Sequence, residues 1–331
     1  MTHIHIPKRW ELGESRVTPE SVYLNRREFV RRAGGGAILA AAVASGCRGE
    51  ARAIAQEGGP LSNIPDTPTA DLYPGARHDP RFEPGSRHGS VTPEETVASH
   101  NNFYEFGTDK ATAWRHVDRF VTRPWELEVA GLVDRPGRFD LAELEREFAL
   151  QERIYRLRCV EAWSVVVPWI GFPLRSLLEK AGPQSEARFV RFVSFLRPEQ
   201  AFGQKTQTWY SWPYYEALRI DEAMHDLAFL VTGMYGHPLQ KQNGAPIRLA
   251  LPWKYGYKSA KSIVRIELTR ERPPTFWNDL APAEYGFLSN VNPAVPHPRW
   301  SQATETIVET GERVPTVPYN GYGEFVASLY A

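Results

Sequence analysis

The stretch "ERIYRLRCVEAWSVVVPWIGFP", residues 152–173, decides what can be expected of this chain, because it contains Cys159, one of two cysteines among 331 residues. Polar and apolar residues alternate before the cysteine. Tyr155, Leu157 and Cys159 therefore lie on one face of a predicted strand, and the two arginines between them lie on the other face. We expect the strand to end at the cysteine and a tryptophan-rich loop to follow it.

Cys159 is a candidate functional residue because of its neighbours. Arg156 and Arg158 place two positive charges within three residues, which would favour the thiolate, the form that acts as a nucleophile and binds metals. The end of a strand, next to a loop with Trp163 and Trp169, is also a common place for a site. A buried, inert cysteine is the alternative that the residues alone leave open.

A twin arginine marks the N-terminal region. In "LNRREFVRRAGGGAILAAAVASGC", residues 24–47, Arg26 and Arg27 precede a weakly apolar stretch that is shorter than the roughly 20 apolar residues of a membrane span. This pattern is typical of a cleaved export signal. We therefore predict that residues 1–55 are a twin-arginine signal and that the mature protein is periplasmic. Two alternatives are an amphipathic helix with chance arginines and lipid attachment at Cys47.

Export by this route predicts a cofactor, because the twin-arginine translocase carries proteins that have already folded, often around a group inserted in the cytoplasm. The destination is an oxidising compartment. After removal of Cys47, Cys159 has no partner for an intramolecular disulfide. An unpaired thiol survives there when it is buried or bound, so we expect Cys159 to be one or the other.

The rest of the chain is predicted to be one catalytic domain preceded by an arm. Residues 56–95 are rich in proline and charge and are interpreted as an extended arm on the surface, and residues 96–331 as the domain. The 39 basic and 39 acidic residues balance, which argues against a nucleic-acid-binding protein. Strands and short helices with irregular connections indicate an α+β fold.

Local patterns predict several elements of this fold. Trp125 and Leu127 alternate with glutamates, as in a strand with one wet face. Capping signals predict short helices that begin after Asp140 and at Pro173, and a third helix capped by Asp221. Further strands are predicted in "ARFVRFVSF", residues 187–195, and "KSIVRIELTR", residues 261–270.

Three common types of site have no support in the sequence. No pair of histidines after the signal has the spacing of zinc ligands, so a zinc site is not expected. No G-x-G-x-x-G follows a predicted strand, and G-x-S-x-G does not occur. Neither a Rossmann dinucleotide site nor a serine hydrolase is therefore indicated.

Two clusters of polar residues are candidate binding loops. "PWKYGYKSAKSIV", residues 252–264, combines three lysines with small residues whose backbone N–H groups can approach a phosphate. "HNNFYEFG", residues 100–107, sets two asparagines beside a tyrosine and a glutamate, groups that can read the edge of a heterocycle. A solvated basic loop and a hydrogen-bonded turn, respectively, are the alternatives.

These segments together resemble the sulfite-oxidase fold of molybdenum–pterin enzymes, and within it the catalytic subunits of bacterial periplasmic protein-methionine-sulfoxide reductases. The resemblance extends from about residue 95 to the C-terminus, and the "SVYLNRREF" signal is similar too. The stretches that carry it are "NNFYEFG", "ERIYRLRCVEAWSVVVPWIGFPL", "LRIDEAMHD", "QNGAPIRLALPWKYGYKSAKSIV", "LTRERPPTFWN", "EYGFLSNVNPAVPHPRWSQATE" and "YNGYGEFVASLY". The fold that it implies is α+β, without the C-terminal dimerisation sandwich of sulfite oxidases.

The resemblance also implies a cofactor and its ligands. The cofactor is molybdenum–molybdopterin with a single metal ion, and Cys159 supplies a thiolate ligand to molybdenum. A soft thiolate suits this metal, and ligation also protects the sulfur from oxidation. The residues implied to bind the pterin and its phosphate are Asn101, Tyr104, Glu105, Ser194, Asn243, Arg248, Ser259, Ala260 and Lys261. Ser194 stands where the family more often has threonine, so the hydroxyl is kept.

Glu161 is a candidate catalytic residue that bears on the substrate. Sulfite oxidases typically have an arginine shortly after the ligand cysteine to bind a dianion, whereas "CVEAW" offers Glu161. A carboxylate facing the cleft would repel sulfite and leave a neutral sulfoxide unaffected. Trp163 and Trp169 could then hold the apolar side chain. The alternative is that Glu161 pairs with Arg156 or Arg158 and never meets the substrate.

The implied activity is reduction of methionine sulfoxide in oxidised periplasmic proteins, a repair reaction. The resemblance implies that oxygen passes from the sulfoxide to molybdenum(IV) and that electrons return from a haem-containing membrane subunit fed by the quinone pool. The sequence has no C-x-x-C-H haem motif, so another protein must deliver the electrons. We expect a monomer that pairs with this membrane subunit. The alternatives are another oxidoreductase on the same fold, such as a sulfite dehydrogenase, and a non-enzymatic envelope binding protein.

Overall fold

Two β-sheets form the framework of the described part of the chain. The computed structural model describes residues 58–84 and 90–331, all of which belong to one compact unit, Gln56–Ala331. The strands in these residues, numbered in chain order, are β1 Arg77–His78, β2 Glu126–Gly131, β3 Gly137–Asp140, β4 Gln151–Cys159, β5 Trp163–Pro173, β6 Phe189–Ser194, β7 Tyr215–Arg219, β8 Phe229–Met234, β9 His237–Pro238, β10 Arg248–Ala250, β11 Ile263–Thr269, β12 Thr304–Ile307 and β13 Arg313–Pro315.

The strand that ends at the cysteine lies inside the first sheet. β4 pairs with β1 in parallel and with β5 in antiparallel orientation. β5 pairs in turn with β8, antiparallel, and with β12, parallel. β9 and β10 extend the sheet from β8, and β13 extends it from β12. The second sheet has the order β3-β2-β11-β6-β7, in which the β2–β11 pair is parallel.

Helices are short and lie between the strands. The α-helices of the described residues are α1 Glu94–Ser99, α2 Leu141–Glu147, α3 Leu174–Ala181, α4 Phe202–Thr206, α5 Ile220–Ala223, α6 Phe276–Leu280 and α7 Gly323–Val326. Turns of 3₁₀ helix occur at Pro60–Asn63, Ala70–Leu72, Pro80–Phe82, Ala113–His116, Lys241–Asn243, Gly256–Lys258, Pro318–Gly321 and Ala327–Tyr330. Mixed sheets with a few short helices confirm the predicted α+β fold.

The alternation in β2 is the clearest case in which local pattern predicts structure. Leu127 is buried, as is Trp125 just before the strand, whereas Glu126 is exposed. Trp125 Nε1 also donates to the carbonyl of Ile263 at 2.8 Å. The apolar face of the strand therefore packs into the core and ties β2 to the beginning of β11.

Two of the three predicted helix starts are confirmed. Asp140 accepts a hydrogen bond from the N–H of Glu143 at 3.2 Å at the beginning of α2, and α3 begins directly after Pro173. The third predicted helix is present as α5, but its predicted cap is wrong, because α5 begins at Ile220 and Asp221 lies inside its first turn. Its carboxylate binds Arg219, the residue before the helix.

The prediction of a tryptophan-rich loop after Cys159 is wrong. A tight turn, closed by a hydrogen bond from the Ala162 N–H to the Cys159 carbonyl at 3.1 Å, leads directly into β5. Ala162 has a φ of 63°, in the left-handed region. β5 is buried along nearly its whole length, so its sequence is a continuous apolar run without the alternation that reveals a strand.

The prediction that residues 56–95 form an arm on the surface is wrong in part, because some of its side chains are buried. Tyr73 and Phe82 bury their rings in the hydrophobic core. β1 adds a short parallel strand beside β4. The arm therefore contributes to the sheet that presents Cys159.

The predicted export signal, residues 1–55, and the alternative lipid-attachment residue Cys47 lie outside the described residues. The helices that are described are all too short or too polar to cross a membrane.

Candidate functional site

A deep cleft opens at the end of β4. It encloses about 1150 Å³, counting its open mouth. The predicted site residues that line it are Cys159, Glu161, Asn101, Tyr104, Glu105, Asn243, Arg248, Ser259 and Lys261. Aromatic rings supply much of its wall, namely Tyr104, Trp163, Trp169, Tyr214, Tyr257, Trp277 and Tyr285. Residues that are far apart in the sequence therefore meet in one place.

The sulfur of Cys159 has two weak hydrogen-bond donors. The N–H of Glu161 and the Nδ2 of Asn102 each lie 3.4 Å from Sγ. Burial raises the pKa of the Cys159 thiol to about 12, and the Glu161 carboxylate adds to the rise. A thiolate at this position therefore needs a cation, and coordination to a metal would deprotonate the sulfur.

The prediction that two arginines activate Cys159 is wrong. Arg156 and Arg158 are 2% and 0% exposed, and both guanidinium groups bind the buried carboxylate of Glu305. Arg158 still lowers the pKa of the thiol, but burial outweighs it. The arginines are thus parts of a buried ion cluster, and their charges do not offset the effect of burial on the pKa of the Cys159 thiol.

Glu161 faces the cleft and is held through one carboxylate oxygen. Oε2 accepts from Lys110 Nζ at 2.9 Å, from Asn102 Nδ2 at 3.0 Å and from Trp163 Nε1 at 3.2 Å. Burial alone would raise the pKa of Glu161, but these hydrogen bonds outweigh burial and lower it. The alternative that Glu161 pairs with an arginine of β4 is wrong, because its partner is Lys110.

Arg248 is a buried cation without a carboxylate partner in the described part of the chain. Its guanidinium donates to the carbonyls of Asn243 at 2.9 Å and Leu249 at 3.1 Å and lies 5.0 Å from the centre of the Trp169 ring. Burial lowers the pKa of Arg248 to about 10. A charge that is out of water and unpaired is costly, so this position favours an anionic ligand.

Lys261 is a second cation of the cleft and is half-buried. Its Nζ donates to the carbonyl of Asn102 and lies 4.8 Å from the centre of the Phe103 ring. Burial, and next the charge of Arg248, lower the pKa of Lys261 to about 8. Burial raises the pKa of the nearby Glu105 to about 7, although the charge of Lys261 opposes this. The carboxylate therefore neutralises Lys261 only in part.

Gly244 lets these two cations lie close together. It has a φ of 102°, in the left-handed region, directly after the 3₁₀ turn Lys241–Asn243. A Cβ at this position would lie 2.9 Å from Cγ of Lys261 and 3.3 Å from Cβ of Arg248. The glycine thus meets both a backbone and a packing requirement.

Comparison with known proteins identifies the domain. Residues 114–277 match the family described as the oxidoreductase molybdopterin binding domain. This segment is similar to the molybdopterin-binding domains of oxidoreductases. Among solved structures, the sulfane dehydrogenase SoxCD from Paracoccus pantotrophus is similar, with 18% sequence identity and a TM-score of 0.42. The match covers 55% of this chain and 44% of that chain, so this chain spans less than half the length of that protein.

The molybdopterin-binding domain has the sulfite-oxidase-type α+β fold, and its cofactor is molybdenum–molybdopterin, as predicted. The polar atoms of the cleft fit this group. Buried side-chain atoms of the cleft that have no hydrogen-bond partner among the described residues are Asn101 Oδ1, Asn102 Oδ1, Gln242 Oε1, His100 Nε2 and Trp169 Nε1. They offer both acceptors and donors to a pterin, and the cations Arg248 and Lys261 would suit its phosphate.

Metal ligands other than Cys159 would come from the cofactor. Within residues 58–84 and 90–331, no three His, Cys, Asp or Glu side chains are grouped so that they could hold a metal ion. The thiolate of Cys159 would be the protein's ligand to molybdenum, beside the dithiolene sulfurs of the pterin.

Two predicted cofactor residues lie behind the wall of the cleft. Ser194 is 1% exposed, and its hydroxyl donates to the carbonyl of Lys261 at 2.7 Å. Ala260 is equally buried, and its carbonyl accepts from the N–H of Leu249 at 2.9 Å. In this arrangement both residues shape the loop that carries Lys261.

The basic loop contributes one lysine to the cleft and not three. Lys254 pairs with Glu222 and Lys258 pairs with Glu216, each at 2.6 Å, and both lysines are fully buried. Only Lys261 lines the cleft. The sequence cannot distinguish these roles, because the glutamate partners lie more than 30 positions away.

Several lining residues were missed in the sequence. His100 directly precedes the asparagines of "HNNFYEFG" and could have been included with them. Lys110 had no signal, because its role depends on Glu161, which lies 51 positions further along the chain. The same holds for Trp277, which reaches the cleft from α6, and for Tyr285, which reaches it from the irregular segment after α6.

Proposed function

We propose that this protein is a molybdenum-dependent reductase of methionine sulfoxide residues in oxidised periplasmic proteins. The observation that carries the proposal is the charge balance around Cys159. Glu161 and Lys110 pair beside the sulfur, while the cations Arg248 and Lys261 surround the place suited to the phosphate. The metal end therefore favours a neutral oxygen donor.

The ion pair between Glu161 and Lys110 changes the reason why we expect sulfite to be a poor substrate. Repulsion by Glu161 was expected to exclude a dianion, but Lys110 lies 2.9 Å from its carboxylate and offsets much of that charge. A dianion would still need an unpaired cation beside the metal, and the guanidinium of Arg158 next to Cys159 is already engaged by Glu305. A neutral sulfoxide has no such requirement.

The aromatic wall supports a substrate with an apolar side chain. Trp163 is fixed by its bond to Glu161 and by an edge-to-face contact of 4.7 Å with His100. The rings of Tyr104 and Trp277 pack edge to face in the same cleft, with their centres 5.2 Å apart. Such rings would hold the thioether part of methionine sulfoxide and exclude water from it.

Bound molybdenum–molybdopterin supplies two-electron oxygen-transfer chemistry. The overall reaction consumes the sulfoxide, two electrons and two protons and yields the thioether and one water molecule. In it, Cys159 would ligate the metal, Arg248 and Lys261 would hold the anionic part of the cofactor, and Glu161 with Lys110 would orient Asn102 toward the sulfur.

Another protein would have to deliver the electrons, because the sequence itself has no C-x-x-C-H motif. On the family resemblance, we propose that it is a haem-containing membrane subunit reduced by the quinone pool. Periplasmic location through the twin-arginine translocase is proposed from Arg26 and Arg27. A monomeric catalytic subunit that binds the membrane subunit fits both points.

The test compares two reactions on one preparation of metal-loaded enzyme. We expect efficient reduction of free and protein-bound methionine sulfoxide and little oxidation of sulfite, measured as kcat/KM for each. Comparable values for the two substrates would contradict the proposal and favour a sulfite dehydrogenase. Protein that contains no molybdenum after export from a cell able to make the cofactor would favour a binding protein.

A further inference from the structure

The turn that presents Cys159 is held from its outer side by three donors. The guanidinium of Arg158 donates to the carbonyl of Cys159 itself. The next carbonyl, of Val160, accepts from Trp300 Nε1 at 2.8 Å and from Gln302 Nε2 at 2.7 Å. Two successive carbonyls of the turn are therefore fixed, and the position of the sulfur depends on how firmly they are held.

Arg158 is itself fixed at every nitrogen of its guanidinium. Its Nε donates to Glu305 at 2.7 Å, and its Nη2 donates to Gln302 at 2.8 Å and to Thr316 at 3.2 Å. The remaining nitrogen, Nη1, is the one that binds the carbonyl of Cys159. A planar, five-donor group in this setting has little freedom to rotate, so it transmits the position of the segment around Glu305 to the cysteine.

Glu305 also binds Arg156, which makes a buried cluster of two cations and one anion. Glu305 and Arg158 are essentially inaccessible, and Arg156 is 2% exposed. Burial of one uncompensated charge beside a site carries a large desolvation cost, which well-packed apolar residues would avoid. The side chain of Arg156 binds Asn320, Ser164 and Glu305 and makes no hydrogen bond to the turn at Cys159. Its contacts therefore stabilise the cluster and do not hold the cysteine.

We propose that Arg158, held by Glu305, is the positioning residue of the metal-ligating Cys159, and that Arg156 serves the stability of the same cluster without setting the cysteine. This inference rests on Cys159 as the molybdenum ligand in the proposed function. It goes beyond that function by assigning the second layer of the site to residues of β4 and β12. Groups that hold a metal ligand in this way commonly affect metal affinity by roughly 10–100-fold when they are removed.

The experiment uses two matched variants of the full-length holoprotein, Arg156→Met and Arg158→Met. Each keeps one arginine on Glu305, so each turns the cluster from a net charge of one to zero. Only Arg158→Met removes the donor to the Cys159 carbonyl. Molybdenum per protein is measured by mass spectrometry, the metal site by electron paramagnetic resonance of the partly reduced protein, and the fold by circular dichroism and Tm.

We expect Arg158→Met to shift the resonance spectrum and to weaken metal retention roughly 10-fold. We expect Arg156→Met to keep the wild-type spectrum and metal content at a Tm similar to that of Arg158→Met. Equal spectra and metal contents in the two variants would overturn the inference. If Arg158→Met does not fold, Gln302→Leu replaces it, because it removes an acceptor that fixes Arg158 and a donor to Val160 and leaves every charge in place. A wild-type spectrum in folded Gln302→Leu would also count against the inference.

The ligand assignment is checked separately with Cys159→Ala. If the wild type holds molybdenum and Cys159→Ala holds it equally well with an unchanged spectrum, the metal-ligand part of the proposed function fails. If Cys159→Ala loses the native spectrum while Arg158→Met keeps it, the ligand stands and the positioning role of Arg158 fails.

Discussion

Replacement of Lys110 by methionine tests how charge at the metal end selects the substrate. Lys110 donates to Glu161 at 2.9 Å, and Glu161 lies beside the sulfur of Cys159. Lys110→Met keeps the length of the side chain but leaves a carboxylate with no cation. The variant should then discriminate against an anionic sulfoxide and treat a neutral one as the wild type does.

The size of the effect follows from Coulomb's law. We place a substrate carboxylate roughly 8 Å from Glu161 and use an effective dielectric constant of about 40, because the Lys110 and Glu161 side chains are 33% and 28% exposed. The repulsion is then about 1 kcal/mol, which corresponds to about a five-fold loss in kcat/KM for the anionic substrate. It should shrink at high ionic strength because surface charges are screened.

The assay compares N-acetylmethionine sulfoxide, which is anionic, with its N-methylamide, which is neutral, using a reduced dye as electron donor. The quantity of interest is the ratio of the two kcat/KM values. Lys180→Met is the matched control, because Lys180 is also 33% exposed and forms a 2.7 Å ion pair, with Glu147, among residues that do not line the cleft. We expect it to leave the ratio unchanged.

Two results would refute this reasoning. One is an unchanged ratio in Lys110→Met, and the other is an equal change in Lys180→Met. The double variant Lys110→Met/Glu161→Gln adds a further check, since removal of the carboxylate should restore discrimination to the wild-type value. A double variant that discriminates as strongly as Lys110→Met would show that Glu161 is not the source of the repulsion.

Four further predictions follow from other parts of the molecule. Cys159→Ala should abolish turnover and change Tm by only a few degrees, because the sulfur makes two contacts of 3.4 Å and little core packing; sulfoxide reduction at the wild-type rate would contradict its role as a ligand. Replacing Arg26 and Arg27 with lysine should retain the precursor in the cytoplasm, as seen by cell fractionation, and normal amounts of mature periplasmic protein would speak against the export signal. Gly244→Ala should lower the free energy of unfolding by about 1–3 kcal/mol in chemical denaturation, because alanine at a φ of 102° is strained; unchanged stability would mean that the turn adapts. The pKa of Glu105 is raised to about 7 from its usual 4.5, so the folded protein binds the extra proton and its free energy of unfolding should fall as pH rises through this interval. Glu105→Gln in cofactor-free protein should flatten that slope, and an identical slope in the variant would exclude Glu105 as its origin.

Local sequence pattern predicted those elements in which one face meets water. The alternation of polar and apolar residues in β2 predicted that Leu127 is buried and Glu126 exposed. Asp140 predicted the beginning of α2. β5 could not be found in this way. Both of its faces are covered by neighbouring elements, so the run from Trp163 to Pro173 lacks a periodic signal.

The site was predicted as a set of residues better than as a set of interactions. The chemistry of a thiol, amides and cations marks Cys159, Asn101 and Lys261 as candidates, and the structure brings them to one cleft. The sequence did not allow the ion-pair partner of each charged residue to be predicted. Glu161 lies nearest in sequence to two arginines but pairs with Lys110, because strand geometry and burial, and not sequence distance, decide which charges meet.

The pairing of Arg158 with Glu305 also has a consequence for the order of events during folding. The two residues are 147 positions apart, so the contact forms only after a long loop has closed. Until β12 docks beside β5, the guanidinium groups of β4 have no carboxylate and the turn at Cys159 has no outer support. The cysteine is therefore synthesised early and becomes ready for its metal late, and we expect the cofactor to enter a finished chain and not a growing one.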